Sequence, residues 1–205
     1  MNGLVFEISD SFSGTYILDS TGTGRVDSSL NFATNGPGPE LIFYLIGNGN
    51  PPLVLDSDVN IGSLGMGMAY TQAPAPFSFD GSFGLSFTQS TSGLENDGTG
   101  QISVDGTAST LSGVVDTNLS FSPQPNTALT GTYGAIDPTG RSTGTLTNTF
   151  FPSPGTTPST LAATFYLIDS NHGFFIETDS SLSGELSFGT FTARTPVCPT
   201  CLNFH

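Results

Sequence analysis

Between residues 79 and 88 the chain alternates. Phe79, Phe83, Leu85 and Phe87 share one parity, and Gly84, Ser86 and Thr88 take the other. Leu129, Gly131, Tyr133 and Ala135 form a second face of this kind. Half-buried antiparallel strands read this way. Other stretches are apolar at consecutive positions: Leu41 to Ile46, Leu161 to Ile168 and Phe174 to Ile176. That pattern predicts strands buried on both faces. Two of these stretches carry the same tetrapeptide, FYLI, at 43–46 and 165–168. No stretch has helical periodicity over a helix length.

The recurrence extends well beyond FYLI. Ser13-Gly14-Thr15-Tyr16 matches Thr130-Gly131-Thr132-Tyr133, and the turn Asp19 to Arg25 matches Asp137 to Arg141. Leu30 falls opposite Leu146, Leu53 to Asp58 opposite Phe174 to Asp179, and Gly62 to Gly67 opposite Gly184 to Gly189. The period is about 120 residues, the size of a small domain rather than of a solenoid repeat. The second copy has two more strand-like runs upstream, Phe79 to Thr88 and Gln101 to Ala108, with Glu95 to Gly100 read as a hairpin turn between them.

The expected organisation is therefore a partial β-repeat of about six strands over residues 1–73 and a complete one of about eight strands over 74–195. A tail with a C-x-x-C follows at 196–205, and Ala73-Pro74-Ala75-Pro76 forms a stiff linker between the repeats. The fold class is all-β. An antiparallel up-and-down barrel of lipocalin or avidin size fits the complete copy, because closure removes exposed strand edges. A β-sandwich is the alternative. The outer faces of the doubly apolar strands must meet the other repeat, a partner chain or a ligand, and packing between repeats is the simplest option.

Composition narrows the setting. Only 10% of residues are charged, with 26 Gly, 14 Pro and 17 Phe, and the net charge is −14. There is no lysine, and Arg25, Arg141 and Arg194 are the basic residues apart from two histidines. A chain this acidic repels phosphate backbones and anionic lipid, which argues against nucleic-acid partners. No apolar run reaches the length of a membrane helix. The first residues lack the basic and apolar regions of a signal peptide, so export by another route or a longer parent chain is expected. Acidity without lysine suits a secreted or cell-surface setting.

The pattern G-T-Y, D-x-x-G-R, F-Y-L-I, [FL]-[ED]-[ST]-D and G-x-L resembles tandem β-repeats of predicted secreted proteins of soil Acidobacteria. The resemblance covers most of both copies. It implies an exported, repeated, all-β module and carries no activity and no catalytic residues. The shortened first copy departs from it and suggests part of a longer protein.

Candidate chemistry is sparse. His172 sits in Ser170-Asn171-His172-Gly173, a turn sequence, and no nucleophile elbow accompanies it. Cys198, Cys201 and His205 could supply three zinc ligands, but nothing marks a fourth. A local disulfide between Cys198 and Cys201, without metal, is the expectation for an exported tail. Asp56 and Asp58, and at equivalent places Glu177 and Asp179, lie at the ends of apolar strands. Paired carboxylates can serve glycoside hydrolysis or bind calcium, although a strand-end carboxylate is ordinarily solvated or caps a turn. Arg25 and Arg141 occupy equivalent turns. Each is expected to pair with a carboxylate of its own repeat, from the strand of Asp56 or Glu177, with an anionic ligand as the alternative. With Tyr16 and Tyr133 they are the candidate ligand contacts.

The leading functional reading is a non-enzymatic extracellular or cell-surface module for adhesion, assembly or display, self-associating through the partial repeat. A barrel binding a small apolar ligand and a carboxylate-based hydrolase are the alternatives. No cofactor is called for, calcium aside.

Overall fold

The computed structural model describes residues 11–34, 36–57, 65–91, 94–119, 122–148, 159–179 and 185–194. These form two compact units that divide between Thr71 and Gln72. Among the described residues all regular structure is strand, and no helix is long and apolar enough to cross a membrane.

The first unit contains β1 (Phe12–Leu18), β2 (Arg25–Phe32), β3 (Gly36–Tyr44), β4 (Leu53–Asp56) and β5 (Met66–Met68). They form an open antiparallel sheet in sequence order, with β1 and β5 at its edges. The first strand expected from the sequence, with Phe6 and Ile8, lies outside the described residues.

The second unit contains β6 (Gly81–Thr91), β7 (Leu94–Asp105), β8 (Thr110–Leu119), β9 (Ser122–Tyr133), β10 (Arg141–Asn148), β11 (Ser159–Leu167), β12 (His172–Glu177) and β13 (Glu185–Ala193). Each strand pairs with the next, and β13 returns to β6 in the register Phe191↔Leu85, so the eight close into an up-and-down barrel. The β-sandwich alternative is thereby set aside.

The same sequence motifs form the same local structure in both units. Arg25 and Val26 lie opposite Tyr44 and Phe43, as Arg141 and Ser142 lie opposite Tyr166 and Phe165. Asp56 pairs with Leu41 where Glu177 pairs with Ala163, and Val54 with Gly67 where Phe175 pairs with Gly189. Even the turns agree. Asp19 accepts from the Thr21 amide at 2.9 Å and from its hydroxyl at 2.5 Å, and Asp137 accepts from the Thr139 amide at 2.8 Å and its hydroxyl at 2.6 Å.

Strand parity builds the barrel core. Phe83, Leu85 and Phe87 of β6 point inward and are buried, as are Phe165 of β11, Phe175 of β12 and Phe191 of β13. Phe79, ahead of β6, drops onto one end of the lumen. Its ring centroid lies 4.8 Å from that of Phe191, 5.2 Å from those of Phe83 and Tyr133, and 5.9 Å from that of Phe165. Each such buried ring contributes roughly 1.5–3 kcal/mol relative to leaving it exposed. Inward-facing glycines make room for the rings: a Cβ on Gly98 would fall against the ring of Phe87, and one on Gly189 against that of Phe175. The outer wall is largely hydroxylated, with cross-strand pairs Thr132–Thr145 at 3.0 Å and Thr147–Thr160 at 2.6 Å.

Three expectations need correction. Glu95 to Gly100 is not a turn but part of β7, where Asp97 lies opposite Thr88 and accepts its hydroxyl at 2.8 Å. Gly98 and Gly100 are there for the core, not for a bend. Ala135 lies beyond the end of β9 and is exposed. The doubly apolar stretches are not fully buried on two faces: Phe165, Leu167 and Phe175 are buried, Tyr166, Ile168, Phe174 and Ile176 are half-buried on the other face, and Tyr44, Leu45 and Ile46 are exposed.

Candidate functional site

The barrel interior changes character along its length. On β6 the inward positions run Phe83, Leu85, Phe87, Gln89. On β8 they run Leu111, Gly113, Val115, Thr117. On β10 the sequence ends Leu146, Asn148, on β12 Phe175, Glu177, and on β13, read backwards, Phe191, Gly189, Ser187. In every case the polar residue comes last, toward the end of the barrel where β6 meets β7, β8 meets β9, β10 meets β11 and β12 meets β13. Gln89, Thr117, Asn148, Glu177 and Ser187 are all buried. Antiparallel alternation thus brings five polar side chains into one end of a lumen whose other end is plugged by Phe79.

Within this set Gln89 and Ser187 are direct cross-strand partners. The β12–β13 register, Ile176↔Phe188, places Glu177 beside Ser187. Glu177, Ser187 and Gln89 therefore form a row across three neighbouring strands, and Thr117 on β8 lies two strands beyond Gln89 and four, or half the barrel, from Glu177. Glu177 is 6% exposed, and neither carboxylate oxygen has a hydrogen-bond partner among the described residues. The hydroxyls of Ser187 and Thr117 are equally unpartnered there. Burial raises the Glu177 pKa above its ordinary value of 4.5. The Ser187 hydroxyl and amide, close to the carboxylate although outside hydrogen-bond geometry, offset part of this, and the negative charge of Asp179 adds to it.

The barrel's cationic side chains sit elsewhere. Arg141 opens β10 at the plugged end; its main-chain amide donates to Asp137 at 3.0 Å, and its buried Nε has no partner among the described residues. Arg194 donates through Nη1 to Gln101 at 2.5 Å and through its amide to the Ser82 carbonyl at 2.8 Å, also near that end. In the other unit Arg25 pairs with Asp27, two residues along its own strand, at 2.5 Å, rather than with a residue of β4.

The remaining candidates are dispersed. His172 is exposed at the start of β12, in the turn after β11 at the plugged end, and its Nδ1 lies 3.0 Å from Asp169. Burial pushes the Asp169 carboxyl up, but the Asn171 amide and His172 outweigh it and hold the pKa below its ordinary value. His172 and Glu177 thus occupy opposite ends of the barrel, and the structure does not assemble them into one catalytic set. Tyr133 is buried and structural: its hydroxyl donates to the Phe79 carbonyl at 2.8 Å. Tyr16, at the equivalent place, is 76% exposed. Asp56 is half-buried at the position equivalent to Glu177. Asp58, Cys198, Cys201 and His205 lie outside the described residues, and among the described ones no group of three His, Cys, Asp or Glu side chains comes together as a metal site. Gln89, Thr117, Asn148 and Ser187 were not singled out in the sequence, although Gln89 shares the parity of Phe83, Leu85 and Phe87.

No family model matches the chain, and no curated protein matches it. A solved structure described as the crystal structure of a surface lipoprotein is similar to it at 12% identity and a TM-score of 0.38, over 88% of this chain and 97% of that one.

Proposed function

We propose that the chain is a non-enzymatic tandem β-repeat module of an extracellular or cell-surface protein, acting in assembly, adhesion or display, with its five-stranded sheet as the joining surface. The observation that carries this reading is that no described residue from 11 to 71 is buried. The sheet has the strand register of the barrel wall but, among the described residues, no core of its own. Tyr16, Ile17 and Met66 are 76%, 73% and 88% exposed. Among the described residues no strand pairs with the outer edge of β1 or of β5, open edges recruit further strands, and exposed apolar surface recruits partners.

The occupant we favour is the same sheet of a second copy. The barrel supports this choice, since strands in the register of β1 to β5 reach a closed core there once further antiparallel strands complete the wall. A second copy brings such edges and the same apolar faces. The resemblance to repeats of secreted proteins, the net charge of −14 and the absence of lysine favour the extracellular setting. Apolar-ligand binding has less support, because aromatic rings occupy the apolar part of the lumen.

Hydrogen exchange at several protein concentrations tests the reading. Amides of β1 and β5 gain protection as concentration rises if copies pair through these edges. Exchange rates independent of concentration would remove the basis for the assignment.

A further inference from the structure

We propose that the polar end of the barrel lumen is a binding site for a hard, oxygen-preferring cation such as calcium, held by Glu177. A carboxylate that is 6% exposed, approached by the Ser187 hydroxyl and amide but with neither oxygen in hydrogen-bond geometry among the described residues, is costly to keep in a folded interior. Unpartnered buried polar groups in a native fold call for an occupant, and ions and ordered water are the usual ones. Here the atoms without a hydrogen-bond partner among the described residues include two carboxylate oxygens and the hydroxyl oxygens of Ser187 and Thr117, in one end of a lumen that the side-chain amides of Gln89 and Asn148 also line.

The chemistry of this set selects the charge and the kind of ion. Glu177, Ser187 and Thr117 offer oxygen alone and the amides of Gln89 and Asn148 can offer it too, which suits calcium, an ion that takes six to eight oxygen ligands in flexible geometry and completes its shell with water. Zinc, which favours histidine nitrogen and cysteine sulfur, finds neither in this set. A negative occupant is excluded by the field. The chain carries −14, Asp179 reinforces Glu177, and Arg141 and Arg194 lie toward the other end of the barrel. A bound cation would supply the counter-charge that no described side chain provides.

The site is distinct from the exposed sheet and stands whether or not the chain self-associates. Its test is the thermal unfolding of the full chain in chelator and in calcium chloride, with Glu177→Gln and Asp97→Asn compared. Asp97 is an exposed carboxylate on the outer wall. Saturating calcium is expected to raise the Tm of the wild type and of Asp97→Asn by roughly 5 °C, and to leave Glu177→Gln unmoved. The glutamine variant keeps the shape and removes the buried charge, so it folds. An equal calcium shift in Glu177→Gln would place the ion elsewhere, and no shift in the wild type would mean that Glu177 is accommodated by protonation or water alone. Either result overturns the proposal.

Discussion

The hydroxyl of Tyr133 donates to the main-chain carbonyl of Phe79 at 2.8 Å. This bond fixes the segment ahead of β6 across the end of the barrel and seats the Phe79 ring on Phe83, Phe165 and Phe191. Burial, and then the charges of Asp80 and Asp105, raise the Tyr133 pKa, so the hydroxyl stays a donor through neutral pH.

Tyr133→Phe keeps the ring and leaves the Phe79 carbonyl without its partner. The expected cost is about 1–3 kcal/mol, measured by urea unfolding. Tyr16→Phe, at the equivalent but exposed place, is expected to change stability by less than about 0.5 kcal/mol.

Glu177 gives stability a pH dependence of unusual sign for a carboxylate. Its folded pKa lies above the ordinary 4.5, so the folded state holds the proton more tightly than the unfolded chain. Stability is therefore full below pH 4.5 as far as this group is concerned, and falls as pH rises through its raised folded value. Glu177→Gln is expected to remove that fall in the absence of added cation. Chemical unfolding between pH 4 and 8 measures it.

Asp137 acts in the opposite sense. The Thr139 hydroxyl, then the Arg141 amide, hold its pKa below 3.8, and Asp19 is lowered to about 2 by the hydroxyls of Thr21 and Thr23. These carboxylates stabilise their turns above about pH 4 and lose that contribution as pH falls toward their folded values. Asp137→Ala is expected to lower the Tm at pH 7 and to weaken the acid limb of the stability profile.

Gly98 is a packing position. A side chain there meets the Phe87 ring, and Gly98→Ala is expected to destabilise the barrel by about 1–3 kcal/mol. Phe87→Leu in the same chain relieves the clash, so the double variant is expected to lose less than the sum of the single losses. Thermal unfolding of the four proteins measures the coupling.

The alternation at Phe83, Leu85 and Phe87 was enough to place β6 as a half-buried antiparallel strand, and the repeated G-T-Y segments with the turns Asp19 to Arg25 and Asp137 to Arg141 located matching elements. Parity also held the signal for the polar lumen, since Gln89 continues the face of Phe83, Leu85 and Phe87, but its meeting with Ser187 shows only once β13 closes on β6. Closure is a long-range pairing that no local pattern encodes. The Glu95 to Gly100 stretch misled for a related reason: glycine beside Asn and Asp signals a turn locally, whereas here Gly98 yields space to a ring on the neighbouring strand. The exposure of Tyr44, Leu45 and Ile46 was hidden as well, because their composition is that of a buried strand.

Light scattering across a concentration series shows whether the open sheet joins two copies of the chain. The full chain is expected to show a mass above 21.2 kDa that rises with concentration. Ile17→Lys with Met66→Lys, which places charge on both edge strands, is expected to return it to the monomer mass. A wild-type chain that stays at 21.2 kDa over the whole range would contradict the account.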